Sequence, residues 1–127
     1  MSIKIAIAED NSFLLKAILD KLTIYPDVEV KFHGYNGLEL LEKLEKDPNV
    51  HLILMDIEMP KMNGITAVEK VTQKYPQIRI IMLTVFDDDE NIFRAIQAGA
   101  NGYFLKEVDP PTLYKGMLDT LDGGAAM

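Results

Sequence analysis

The sequence contains no cysteine. Disulfide frameworks and thiolate metal centres are therefore excluded. Positive charge is in short supply, with 13 Lys and Arg against 20 Asp and Glu, a formal net charge of −7. An acidic domain of this kind is a poor nucleic-acid binder by itself, because neutralising phosphates requires clustered Lys and Arg. Long hydrophobic runs are missing too. None approaches the roughly 18 residues of a membrane span. The opening "MSIKIAIAED" has no long apolar stretch ahead of its acids, as a secretory signal would. No linker, low-complexity tract or short repeat interrupts the chain. The expectation is a single cytoplasmic domain over residues 1–127, without membrane contact.

What is present is a chain of 127 residues, 48% hydrophobic, long enough to bury a real core. Two patterns alternate along it. Short β-branched or apolar runs occur at 3–8 ("IKIAIA"), 28–34 ("VEVKFHG"), 51–55 ("HLILM"), 78–83 ("IRIIML") and 102–105 ("GYFL"). Between them lie segments with helical spacing. In 12–24, Leu15, Ile18, Leu19 and Leu22 share a face. In 36–46, Asn36 and Glu39 have capping-box spacing, and Leu40, Leu41 and Leu44 form a stripe. In 64–74 the stripe is Ile65, Val68 and either Val71 or Thr72. Acids fill the first turn of 88–98, where they suit the helix dipole. Pro110 and Pro111 open a last helix with Leu113, Met117 and Leu121 on one face. Five β-α repeats imply an α/β fold with a parallel sheet covered on both faces. Glu29, Lys31 and His33 alternate along the second run, which marks it as an edge strand.

The stretch "LILMDIEMP" poses the functional question, because an apolar strand runs straight into a carboxylate, Asp56. In open α/β sheets, ligands bind outside the carboxyl ends of the strands. Strand 1 ends at Glu9 and Asp10, strand 3 at Asp56, strand 4 at Thr84 and strand 5 at Lys106. If these strands are neighbours, three carboxylates meet and repel one another. Lys106 offsets part of that charge, and a hard divalent cation such as Mg²⁺ can offset more. Taken singly, each residue has an ordinary reading: a turn or cap for the acids, a surface role for the lysine. The convergence on separate strand ends favours a site. His33 and His51 do not converge on it and read as surface or strand-edge residues.

These residues carry a resemblance. "IAIAEDN", "LILMDIEMPKMNGI", "IIMLTVFDDDE" and "AGANGYFLKE" together resemble the receiver domain of bacterial two-component response regulators, over the whole chain. The resemblance implies a flavodoxin-like (βα)5 three-layer sandwich with strand order 2-1-3-4-5, the order of the family's chemotaxis member. It implies that Asp56 is a phosphoacceptor served by a sensor histidine kinase. Asp10, Asp56 and the backbone carbonyl of Glu58 would hold Mg²⁺, with Glu9 acting through water. Thr84 and Lys106 would contact the phosphoryl oxygens, and Thr84 and Tyr103 would form a conformational switch. Such a domain takes part in its own phosphorylation and dephosphorylation without being a turnover enzyme. Glu107 departs from the proline that often follows the strand-5 lysine. "FLKE" and the closing glycines resemble the subfamily in which a LuxR-type helix-turn-helix domain follows, so DNA binding and transcription control would belong to a C-terminal domain outside this chain; a stand-alone receiver is the alternative.

Two other readings stand beside this one. A phosphorylation-independent receiver-like module would use the same fold, but such modules usually lack one of these acids, the threonine or the lysine. An aspartyl-phosphate hydrolase shares the nucleophile type, yet usually places it after an early strand in a longer chain. The output is expected to be a phosphorylation-enhanced homodimer. Its candidate surfaces are Tyr114 and Leu118 on helix 5 and Phe13, Ala17 and Ile24 along helix 1, with helix 4 and strand 5 as the alternative.

Overall fold

The computed structural model describes residues 2–124. Strands β1 (Ile3–Ala8), β2 (Val28–Gly34), β3 (Leu52–Met55), β4 (Arg79–Thr84) and β5 (Gly102–Leu105) alternate with helices α1 (Ser12–Leu22), α2 (Gly37–Lys46), α3 (Gly64–Lys74), α4 (Asp89–Ala98) and α5 (Pro110–Leu121). The strands form one parallel sheet in the order β2-β1-β3-β4-β5, the order that the resemblance implied.

Period-two alternation sorts the apolar strands between two cores. Ala6, Ala8, Ile53, Met55, Ile80 and Met82 face α2, α3 and α4. Ile5, Ile7, Leu52, Leu54, Ile81 and Leu83 face α1 and α5. Burial on both faces is the reason these strands read as continuous apolar runs. Each fully buried Leu or Ile contributes roughly 1.5–3 kcal/mol of transfer free energy. The sheet is closed at one edge by β2, where the register against β1 slips between Ile5 and Ala6 and passes over Lys31. Lys31 turns instead to Asp47, 3.3 Å away.

Every helix opens on an Asn or Asp whose side chain accepts a first-turn N–H: Asn11, Asn36, Asn63, Asp88 and Asp109. Caps of this kind stabilise a helix by about 1 kcal/mol each. The Asn36–Glu39 pair differs in detail from the expected box. Asn36 accepts from the Glu39 N–H at 2.8 Å, but Glu39 reaches back to the N–H of Tyr35, at 3.1 Å, not to that of Asn36.

The structure corrects several finer expectations. Helix α1 stops at Leu22, so Ile24 lies in the following loop, not on the helix. Val71 is fully buried and completes the α3 stripe, whereas Thr72 is only half-buried. Leu41 and Leu121 are also half-buried. Tyr114 is not free apolar surface. Its ring stacks on Tyr25 with centroids 3.9 Å apart, and its hydroxyl donates to Asp27 at 2.5 Å. Leu118 remains 41% exposed.

Helices α3 and α4 meet closely at Gly99. Its φ is +121°, and a Cβ there would lie 2.5 Å from Thr72 Oγ1. Glycine removes both the steric clash and the backbone strain. Gly99→Ala is expected to cost about 1–3 kcal/mol and to lower Tm by roughly 5–10 °C. Adding Thr72→Ala should recover part of the loss but not all, because the backbone strain remains. Thermal unfolding of the two variants by circular dichroism checks both outcomes.

Candidate functional site

Strand register brings the acids together. Ala8 pairs with Met55, so the residues that follow, Glu9 and Asp56, emerge side by side. The ladder continues one step further, with the Asp56 N–H donating to the Ala8 carbonyl at 3.1 Å. On the other side of β4, the Lys106 N–H donates to the Thr84 carbonyl at 2.9 Å. The Lys106 side chain then crosses to the acids. Its Nζ lies 2.9 Å from Asp56 Oδ2 and 2.6 Å from Glu9 Oε1. Side-chain exposure is 1% for Glu9, 7% for Asp56 and 10% for Lys106, so little water screens the trio.

Asp10 stands exposed at the rim, and ligand oxygens of Glu9, Asp10 and Asp56 all lie within 4.8 Å of one another. Glu9 Oε2 accepts the Asn11 N–H at 3.1 Å, and Asp56 Oδ1 accepts the Ile57 N–H at 2.7 Å. The other Glu9 oxygen, Oε1, has no well-directed hydrogen bond. Its contact with Lys106 is an ion pair by distance alone. Burial raises the Glu9 pKa; the Lys106 ammonium and the Asn11 N–H pull it back only in part, and the Asp56 charge adds to the rise. For Lys106, burial disfavours the ammonium, but its contacts with the Glu9 and Asp56 carboxylates outweigh it and raise the pKa.

These groups line a shallow cleft of about 200 Å³, with Glu58 beside them and Leu14, Val85 and Phe86 as an apolar wall. A larger cleft of about 390 Å³ lies between α3 and α4, but its only carboxylate is Glu69. The size of that opening reflects helix packing, whereas the smaller cleft holds the convergent chemistry. Three carboxylates with one lysine leave negative charge in excess. All-oxygen donors and a buried, underused oxygen suit a hard divalent cation.

The loop after Asp56 is pinned by close backbone contacts. The Gly64 N–H donates to the Ile57 carbonyl at 2.7 Å, and a Cβ on Gly64 would overlap the Asp56 carbonyl oxygen. Lys61 adopts a positive φ of 66°. The Gly37 N–H donates to the Met62 carbonyl at 3.0 Å, tying the loop to α2.

Thr84 and Tyr103 sit behind the cleft and do not line it. Thr84 is fully buried, and its Oγ1 accepts the Phe86 N–H at a long 3.4 Å. Tyr103 is 7% exposed, packed in the core on the α4 side, and its hydroxyl donates to the Phe86 carbonyl at 2.6 Å. The Phe86 backbone therefore joins the two residues. The residue pattern points to both but carries no sign of this link. The histidines lie apart, as expected. His51 accepts the Lys4 N–H on Nδ1 at 3.0 Å, and His33 meets Tyr35 edge-on at 5.2 Å.

A doubly wound parallel sheet in this order, with its acids at the carboxyl edge, defines a CheY-like flavodoxin fold. The chain belongs to the response regulator receiver domain family, whose model matches residues 5–117. It is 35% identical over 123 residues to the transcriptional regulatory protein DegU of Brevibacillus brevis, covering 97% of this chain and 52% of that protein. It is 33% identical over 116 residues to the nitrate/nitrite response regulator protein NarL of Escherichia coli K12, covering 89% and 52%. The chain thus spans about half the length of the curated relatives it matches. Among solved structures, a receiver domain protein (CheY-like) from Methanospirillum hungatei aligns with a TM-score of 0.85 at 29% identity, covering 97% of this chain and 96% of that one. A LuxR-family regulator from Aurantimonas aligns with a TM-score of 0.92 at 23% identity, covering 100% and 90%. That last likeness is one of fold. No helix of the described residues is long and apolar enough to cross a membrane.

Burial, together with the charges of Asp88, Asp56 and Asp87, pushes the Tyr103 phenol up to about 12. An acid whose folded pKa is raised favours the folded state while it stays protonated. That contribution is complete below pH 10 and is lost as pH rises toward 12. In an alkaline absorbance titration of the folded protein, the difference between wild type and Tyr103→Phe should therefore titrate near pH 12. A Tyr103 midpoint near 10, the ordinary tyrosine value, would contradict the buried arrangement.

Proposed function

We propose that Asp56 accepts a phosphoryl group from a phosphohistidine on a sensor histidine kinase, and that the domain signals by changing its own association. The supporting observation is the buried Asp56 carboxylate, held by the Ile57 N–H and the Lys106 ammonium among acids that fit a divalent cation. In this reading a carboxylate oxygen of Asp56 forms the new P–O bond. The P–N bond breaks, and its electron pair stays on the imidazole nitrogen. The Ile57 N–H orients the nucleophile. The Lys106 ammonium leaves Asp56 Oδ2 to meet a phosphoryl oxygen, and the Thr84 hydroxyl donates to another. Most of the rate then comes from positioning and charge stabilisation. Asp10, Asp56 and the Glu58 carbonyl would hold Mg²⁺, with Glu9 acting through water. When bound, the ion would offset the negative charge shared by the acids and the phosphoryl group.

The Phe86 link couples Thr84 and Tyr103, so movement of Thr84 toward a phosphoryl oxygen would be felt at Tyr103 and α4. The domain would be consumed and restored in each cycle and is not a turnover enzyme. Presence of every acid, the threonine and the lysine favours this reading over a phosphorylation-independent module. A cytoplasmic location fits a partner kinase with a cytoplasmic phosphohistidine. Residues 1–127 would act as the receiver unit of a longer regulator, with DNA contacts made by a C-terminal domain. The relatives' names and their greater length support that arrangement.

Asp56→Asn should abolish acylphosphate formation, since an amide is not a competent nucleophile. The check is intact-mass analysis after acetyl phosphate treatment, with and without Mg²⁺. Stoichiometric labelling of the variant on another residue would end this assignment.

The dimer surface we favour joins α1 and α5 around a twofold axis. Phe13 is 88% exposed and Leu118 41% exposed, while the Tyr25–Tyr114 stack closes part of the same face. Sedimentation with Mg²⁺ and beryllofluoride should reveal a mass increase in wild type and none in Leu118→Glu. A variant that dimerises as well as wild type removes α5 from the interface.

A further inference from the structure

Helix α1 touches the site at both of its ends. At its start the Asn11 N–H donates to Glu9 Oε2 at 3.1 Å. In its last turn Lys21 reaches the turn after β5, where its Nζ donates to the Lys106 carbonyl at 2.6 Å. The Lys106 backbone is therefore held on both sides. Its N–H is bonded to the Thr84 carbonyl and its carbonyl to Lys21. Among the described residues Lys21 forms no ion pair with a carboxylate. Among the described residues its ammonium donates to the Lys106 carbonyl, while its charge is also felt at Asp109. A charged donor on a half-buried carbonyl contributes more than an exposed ion pair.

The contacts close a ring. Glu9 is bonded to the cap of α1, the last turn of α1 to the Lys106 carbonyl, and the Lys106 ammonium returns to Glu9 at 2.6 Å. A regular helix has a fixed rise per residue, so α1 spaces the two anchor points. A lysine stem is flexible, and the place its ammonium can occupy depends on where its backbone is held. Residue patterns alone do not reveal this tie, because Lys21 looks like an ordinary charge in the last turn of a surface helix.

We propose that Lys21 is a positioning residue for phosphoryl transfer: by holding the Lys106 carbonyl, it sets where the Lys106 ammonium stands between Glu9 and Asp56. The proposal rests on the acceptor role of Asp56 given above. Lys21 does not line the cleft and acts through the backbone of Lys106.

Three variants test it. Lys21→Met keeps an unbranched stem and removes the donor. Lys21→Arg restores a donor. Lys16→Met removes an exposed lysine from the same helix as a charge control. With acetyl phosphate and saturating Mg²⁺, labelling of Asp56 should slow about tenfold in Lys21→Met. It should largely recover in Lys21→Arg and stay at the wild-type rate in Lys16→Met. The Lys106 carbonyl carbon resonance should move upfield in Lys21→Met alone. In wild type, a scalar coupling should connect Lys21 Nζ to that carbonyl carbon across the hydrogen bond.

A wild-type rate in Lys21→Met overturns the proposal, as does an equal loss in Lys16→Met, which marks a general charge effect. Absence of the coupling in wild type overturns it even where Lys21→Met fails to fold. Wild-type protein that takes no label overturns the acceptor role of Asp56 itself, and that result is distinct from a labelled wild type with an unaffected Lys21→Met.

Discussion

The contact of one ammonium with two buried carboxylates is the constraint on which this site depends. Glu9 and Asp56 emerge from adjacent strands and cannot avoid each other. Like charges at that separation, with little water between them, repel strongly. Lys106 stands against both, from a strand two places away from β3. In this order β4 lies between β3 and β5, and its Thr84 carbonyl holds the Lys106 N–H. The fold and the site are thus a single arrangement: the sheet brings the acids together, and the sheet also delivers the charge that lets them remain.

The compensation is incomplete, and the incompleteness has chemical value. Glu9 is still pushed toward its protonated form by burial, and one of its oxygens lacks a directed partner. An acidic cleft that its own lysine cannot fully neutralise suits a hard cation. Asp10, exposed at the rim, adds to that field without suffering the same desolvation. Buried and exposed acids therefore have different electrostatic roles within a few ångströms.

Much of this was legible in the residues. Continuous apolar runs revealed a sheet covered on both faces, and helical spacing placed five helices to within a residue or two at most ends. Chain polarity then put Glu9, Asp10, Asp56, Thr84 and Lys106 at the same edge. Strand order itself came from resemblance, because local patterns say nothing about which strands are neighbours. The unread features share one physical cause: they are made by backbone groups or by contacts between residues far apart in the chain. Phe86 contributes through its N–H and carbonyl, which every residue except proline possesses. Lys21 meets Lys106 across 85 positions. The Tyr25–Tyr114 stack, which covers one face of the half-buried Tyr114 ring, likewise joins distant segments.

The Phe86 link separates two properties that could have been bound together. Thr84 and Tyr103 are joined through the peptide groups of residue 86, while the side chain of that residue forms part of the cleft wall. Bulk at the wall can therefore change, altering how solvent reaches Asp56, while the connection behind it stays intact. In the proposed phosphoacceptor role, persistence of a signal and its transmission would be carried by different atoms of one residue, and sequence drift could tune the first without disturbing the second.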